Sequence, residues 1–224
     1  MNDSLNQVLE MLLKAVESVN ASDCNTTDSV CELAKQGLIP VGISNRHVHL
    51  SKQDVETLFG PGYELTCIKD ISQPGQFACK ETVTLCGPKG VIEKVRVLGP
   101  VRSQSQIEIL SGDGFKLGCK APLRLSGDLN GSGAVTLIGP KGSVILQEGV
   151  IVAQRHIHMS PSEAQAYGVY DGQIVRLAMD GPRGGIMDNV IVRANEQGSL
   201  ECHIDTEEAN AYGINAETKL KLIK

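Results

Sequence analysis

From Leu5 to Val19 the apolar residues fall at helical spacing: Leu5, Val8, Leu9, Leu12, Leu13, Val16 and Val19 form one stripe. Ser4 followed by Gln7 has the form of a capping box, so a helix is predicted to begin there. Asn20 to Thr27 is polar and reads as a linker. A second short helix is predicted from Ser29, with Glu32 as its capping partner and Gly37 as its stop. An apolar stripe on a polar linker needs a cover. Its own domain, a sister subunit, or an outside surface for which the segment is an address would each serve.

From Ile39 onward the period shortens to that of strands. Thr82 to Leu85 runs into Gly87-Pro88-Lys89-Gly90, and Ala134 to Ile138 runs into Gly139-Pro140-Lys141-Gly142. Gly181-Pro182-Arg183-Gly184 follows Ile174 to Met179 in the same way. Proline and glycine at these places suit tight turns, so hairpins are predicted, and their recurrence implies related β-rich halves. A longer phrase also repeats. Arg46-His47-Val48-His49-Leu50-Ser51 returns as Arg155-His156-Ile157-His158-Met159-Ser160. The residues after His158 align without a gap with those after His203. Ser160 or Thr206 is predicted to cap a short helix that ends at Gly168 or Gly213. Ser51 with Asp54, ending near Gly60, starts a looser third copy.

Composition narrows the class. With 24 glycines, 3% aromatics and no tryptophan, many short strands fit better than a helix bundle. The 224 residues allow one large domain or two small ones. A net charge of −5 without a basic run gives no global attraction to nucleic acid or anionic lipid. Seven cysteines without a Cys-x-x-Cys pair argue against a disulfide framework or a thiolate zinc knuckle, so reduced thiols are expected. No apolar stretch is long enough to span a bilayer, and the first residues lack the plan of a secretory signal.

The histidines carry the chemistry. The two repeated phrases hold four of the five, and His203 is the fifth. In a strand, residues i and i+2 face the same side, so each His-x-His presents two imidazoles together. Imidazole is the commonest protein metal ligand, and zinc is the first choice for such a set. Five histidines exceed the usual three of one catalytic site, so two metals are expected. Glu108 is the candidate oxygen ligand, sharing a face with Gln106, unless that face meets water. Arg102 can pair with a phosphate through its planar fork. Lys89 and Arg96 can meet further phosphates or remain solvated. Walker, dinucleotide-binding and Gly-x-Ser-x-Gly motifs are absent.

Several phrases, taken in order from Ile39 to the C-terminus, resemble the PduL-type phosphate acyltransferases (phosphate propanoyltransferases). They are Pro40 to Ser51, Gln73-Pro74-Gly75-Gln76, Leu98 to Ser103, Ala121 to Arg124, Val150 to Ser160, and His203 to Thr206. The resemblance implies reversible acyl transfer between coenzyme A and inorganic phosphate. It implies a mainly β fold of two short β-barrel domains capped by short helices. One domain would hold 32–45 plus 154–224 and the other 46–153, after an amphipathic helix over 1–20 and a linker over 21–31. Two zinc ions are implied, one on His47, His49 and Glu108, the other on His156, His158 and His203. Arg102 falls on the phosphate-binding arginine. Ile43, Ser44, Asn45, Lys89, Arg96 and Asn210 fall on coenzyme A contacts. A homodimer in the bacterial cytoplasm is expected. The N-terminal stripe looks like the peptide that carries many members into bacterial microcompartments, with shell or cargo proteins as partners. Two other readings compete: a di-metal acyl-CoA thioesterase, and a non-catalytic zinc-binding scaffold module.

Overall fold

The computed structural model describes residues 32–224. The predicted helix over Leu5–Val19 and the start of the second at Ser29 lie outside them. The second helix does end as expected. Residues 32–36 are helical, and Gly37, at φ 65°, donates its N–H to the Ala34 carbonyl.

The chain is mainly strand. It runs through β1 (Leu38–Ser44), β2 (His47–Ser51), α1 (Lys52–Phe59), β3 (Cys67–Asp70), β4 (Phe77–Cys86) and β5 (Val91–Arg102). Next come β6 (Gln106–Glu108), α2 (Ser111–Leu117), β7 (Leu123–Arg124), β8 (Gly133–Ile138) and β9 (Ser143–Ala153). The last part is β10 (His156–Met159), α3 (Pro161–Tyr167), β11 (Ile174–Met179), β12 (Gly185–Ala194), β13 (Glu201–Asp205), α4 (Thr206–Tyr212) and β14 (Lys219–Ile223).

Strands β1, β13, β10, β12, β11 and β14 close into one barrel. In the other sheet β4, β5, β2, β6, β9 and β8 pair in turn, and β8 returns to β4, closing a second ring. The expected pair of barrels is present. Each is filled by one face of its alternating strands: Ile39, Ile157, Leu177, Val192 and Leu220 in the first, Val48, Leu85, Val97, Ile107 and Leu137 in the second. The chain leaves the first barrel after β1 and returns at β10. Both crossings, Asn45-Arg46 and Gln154-Arg155, stand immediately before a His-x-His strand.

All three predicted hairpins form. In the first two, Gly87 and Gly139 donate to the carbonyls of Gly90 and Gly142 at 3.0 and 2.9 Å. The same turns close helix ends. Lys89 N–H reaches the Leu117 carbonyl at the end of α2, and Lys141 N–H reaches Leu58 in the last turn of α1, both at 3.0 Å. Helix C-termini leave such carbonyls unpaired, so a turn that supplies an N–H satisfies them. A Cβ at Gly87 would lie 2.2 Å from the Leu117 oxygen, and one at Gly139 would lie 2.5 Å from that of Leu58. Glycine is required at both places by this approach.

The caps depart from expectation at one site. Ser51 and Ser160 accept from the amides of Asp54 and Glu163, as predicted. The last helix is capped instead by Asp205, which accepts from Glu208 N–H at 2.8 Å. Thr206 is its first helical residue, and its hydroxyl donates to the Ser44 carbonyl at 2.9 Å, tying α4 to β1. Helix α2 was not predicted; its opening Ser-Gly-Asp-Gly carries two glycines, which disfavour a helix. Asp113 holds its start by accepting from Leu110 N–H at 3.1 Å.

Candidate metal and anion centre

The two His-x-His strands face one another across a cleft between the barrels, with a cavity of about 520 Å³. Each is built on the same plan. β2 runs antiparallel to β6 with His47 opposite Glu108, and β10 runs antiparallel to β13 with His156 opposite His203. Directly paired residues share a face, so each third donor lies beside the first histidine of its pair.

The leading arginine of each phrase locks that joint. Arg46 Nε pairs with Asp113 at 2.7 Å, and Arg155 Nε with Glu208 at 2.8 Å. Each partner lies five residues beyond the third donor and also caps the helix next along the chain. The arginine thus binds one ligand strand to the helix start of the other. At β13 a further fit is visible. A Cβ on Gly42 would come within 2.7 Å of Glu201 and 3.0 Å of the His203 ring, so glycine gives these side chains their room.

Two groups of donors result. His47, His49 and Glu108 form one, and His156, His158 and His203 the other; within each, the donor atoms lie within 4.8 Å of one another. His47 Nδ1 meets the Asn45 carbonyl at 2.8 Å, and His156 Nδ1 meets that of Gln154 at 2.7 Å. A carbonyl can only accept, so each Nδ1 carries the proton and each Nε2 keeps its lone pair. His156 and His158 bring their Nε2 atoms to 3.0 Å.

Four of the donors, His49, His156, His158 and Glu108, are poised in the ligating state. Burial, with His47 and Arg102 adding, lowers His49 to about 3. Burial also lowers His158 to about 3, helped by His156 and His203, and His156 to about 4. Burial alone would raise Glu108, but His47, His49, the Ser126 hydroxyl and His156 together outweigh it and keep its carboxyl below the ordinary range. Neutral imidazoles and an ionised carboxylate are what a cation requires. His49 Nδ1 is buried with no hydrogen-bond partner among the described residues, a cost that a bound cation would remove. The donors therefore fit a metal in both groups, and nitrogen with oxygen suits borderline ions.

Arg102 lines the cleft and joins the first group through a chain of hydrogen bonds. It donates to Ser126 Oγ at 3.1 Å, while Gln106 Nε2 donates to Ser126 Oγ at 2.8 Å and to Glu108 at 2.6 Å. Glu108 is nearly buried and faces this network rather than water. Ile43, Ser44, Asn45 and Arg96 also line the cleft. Lys89 and Asn210 do not: Lys89 is exposed on the β4–β5 turn and Asn210 on α4. The sequence reading missed Glu201 and Arg193. Glu201 Oε2 lies 2.5 Å from His203 Nε2 and accepts from Ser72 of the other barrel. Its place two residues before His203 was a signal available in the sequence, since i and i+2 share a face. Arg193 had none; only strand pairing brings it to His158.

A family model described as phosphate propanoyltransferase matches residues 40–215. A phosphate propanoyltransferase of Rhodobacter capsulatus is 53% identical over 204 residues, covering 91% of this chain and 93% of the relative. One of Thermotoga maritima is 55% identical over 184 residues, covering 82% and 88%. One of Enterococcus faecalis is 42% identical over 222 residues, covering 99% and 98%.

Proposed function

The chain belongs to the phosphate propanoyltransferase family, and from that premise we propose that this phosphotransacylase exchanges a short acyl group between coenzyme A and inorganic phosphate in the cleft. The observation that carries this reading is the convergence of both donor groups and Arg102 on one cavity. His47, His49 and Glu108 would hold one zinc ion, and His156, His158 and His203 the second. Zinc would supply Lewis acidity for polarising the thioester carbonyl and easing departure of sulfur.

The remaining work falls to protein groups. Arg102 binds and orients phosphate, and Ser126 and Gln106 keep its guanidinium in register with Glu108. An oxygen of hydrogen phosphate attacks the thioester carbonyl carbon, the C–S bond breaks, and coenzyme A leaves as the thiol, taking up the proton that the phosphate gives up. The product is acyl phosphate, and no acyl-enzyme is needed. Ile43, Ser44, Asn45 and Arg96 line the route for coenzyme A. Lys89 and Asn210, outside the cleft, would meet only its far end. Acetyl and propanoyl differ by one methylene, worth about 1–3 kcal/mol in an apolar pocket, and both are candidate acyl groups.

Incubating propanoyl-CoA and acetyl-CoA with the metal-loaded enzyme, with and without phosphate, tests the reading. Free thiol and acyl phosphate should appear together, and only with phosphate. Thiol release that ignores phosphate would make the protein a thioesterase instead, and no release at all would leave a binding module.

The stripe from Leu5 to Val19 supports packaging in a bacterial microcompartment, with shell or cargo proteins covering it. Removing residues 1–20 should leave turnover unchanged and abolish co-purification with shells. Continued co-purification of the shortened chain would refute this assignment. A homodimer is proposed on the family resemblance, and sedimentation of the full chain measures it.

A further inference from the structure

We propose that Arg193 is a second phosphate-binding residue, facing Arg102 from the opposite barrel, so that the phosphoryl group is held between two guanidinium groups. The inference rests on the reading above, that phosphate enters this cleft.

The two barrels repeat one module, and the repeat extends past the ligands. β2 is flanked on its far side by β5, in parallel, and β10 is flanked by β12, also in parallel. β5 carries Arg102 opposite Ser51, and β12 carries Arg193 opposite His158. Paired residues share a face of the sheet, so Arg193 projects on the side of His158, into the cleft that both arginines line. The two arginines are not at equivalent positions: Leu98 stands opposite His49 where Arg193 stands opposite His158, and Arg102 lies past a register shift, opposite Ser51.

The cleft arginines differ in their partners. Arg46 is paired with Asp113, Arg96 donates to the carbonyls of Cys79 and Lys80, and Arg102 donates to Ser126. Arg193 lines the same cavity and has no ion-pair or hydrogen-bond partner among the described residues. A half-buried guanidinium without a counter-charge is costly, and an anion with several oxygens relieves that cost. Its field is felt within the site: burial lowers Arg102, Glu108 opposes this, and Arg193 lowers Arg102 further. Two like charges facing one cavity repel until a dianion enters between them. Inorganic phosphate and the phosphoryl group of acyl phosphate share that chemistry. The phosphate groups of coenzyme A share it too, and the test must separate the two sources.

Arg193→Gln and Arg193→Lys are to be compared with the wild-type, metal-loaded enzyme, varying phosphate at saturating acyl-CoA and then acyl-CoA at saturating phosphate. Titration calorimetry with inorganic phosphate supplies a readout independent of turnover. Removing one charge-assisted contact should raise the phosphate KM and Kd about 10- to 100-fold in Arg193→Gln, less in Arg193→Lys, with the acyl-CoA KM near wild type. Circular dichroism and metal content should match wild type in at least the lysine variant, showing an intact site. A phosphate KM and Kd within twofold of wild type in both variants would overturn the assignment. So would a rise confined to the acyl-CoA KM, which would assign Arg193 to coenzyme A. Wild-type turnover indifferent to phosphate would remove the proposed function itself, and this proposal with it.

Discussion

At the residue scale, three of the site's histidines, His49, His156 and His158, are kept neutral by burial. His49 and His158 are lowered to about 3 and His156 to about 4, against an ordinary 6.5. Proton counting gives the sign of the effect on stability. Below about pH 6.5 the unfolded chain takes up protons at these positions while the folded, metal-free protein does not. Stability is therefore present above the ordinary value and declines as pH falls toward the lowered ones, by up to about 1.4 kcal/mol per pH unit for each histidine. Thermal unfolding of metal-stripped protein should show a falling Tm from about pH 7.5 to about pH 5.5, above the range where most carboxylates titrate. A flat profile across that window would contradict the burial argument. Zinc at the proposed sites would bind the same neutral imidazoles, so adding it should raise the Tm.

At the scale of elements, the short helices α1 and α2 are held by turns packed against their ends rather than by their own length. Helices of seven or eight residues are marginal alone, and their last carbonyls need partners. The Gly-Pro-Lys-Gly turns provide these, and each requires a glycine against the carbonyl it serves. Gly87→Ala should force the turn away from Leu117, lose the Lys89 amide bond, and cost about 1–3 kcal/mol. Gly139→Ala should do the same at Leu58. Chemical denaturation measures both, and wild-type midpoints would show that the turns have room the geometry denies them. The repeated turn was plain in the sequence, but its role was not. Which carbonyl a turn meets depends on strands and helices distant along the chain.

At the scale of the whole molecule, the cleft depends on how one barrel holds the other. Gln73, on the loop between β3 and β4, is buried and makes reciprocal bonds to Ser199: its Nε2 donates to the carbonyl at 3.2 Å, and the Ser199 N–H donates to its Oε1 at 3.4 Å. Beside it Ser72 donates to Glu201, which in turn touches His203. The loop thus clasps the ligand strand of the first barrel without adding a strand to it. Gln73→Ala should cost about 0.5–1.5 kcal/mol, since it removes the hydrogen bonds of a buried side chain to the Ser199 backbone. Hydrogen exchange should quicken at the Ser199 amide while amides within β8 and β9 stay protected. Unchanged protection at Ser199 would show that the clasp is not what holds the barrels in place.

The chemistry-bearing residues were legible because they are local. Scarce histidines in a period-two pattern, repeated with their arginine and capping serine, announce paired imidazoles wherever they lie, and proline and glycine mark turns by their own backbone limits. Even so, one cap moved from Thr206 to Asp205, because the Thr206 hydroxyl found a partner on β1. Periodicity could not show that Glu108 turns inward to Gln106 and His47, that Glu201 reaches across to Ser72, or that Arg193 stands beside His158. Those are matters of strand register and barrel closure, set by pairings between residues tens of positions apart. The chain alone determined which groups could act and how each would be presented. Only closure of the two barrels decided which of them meet, because the burial that fixes register is shared among distant strands.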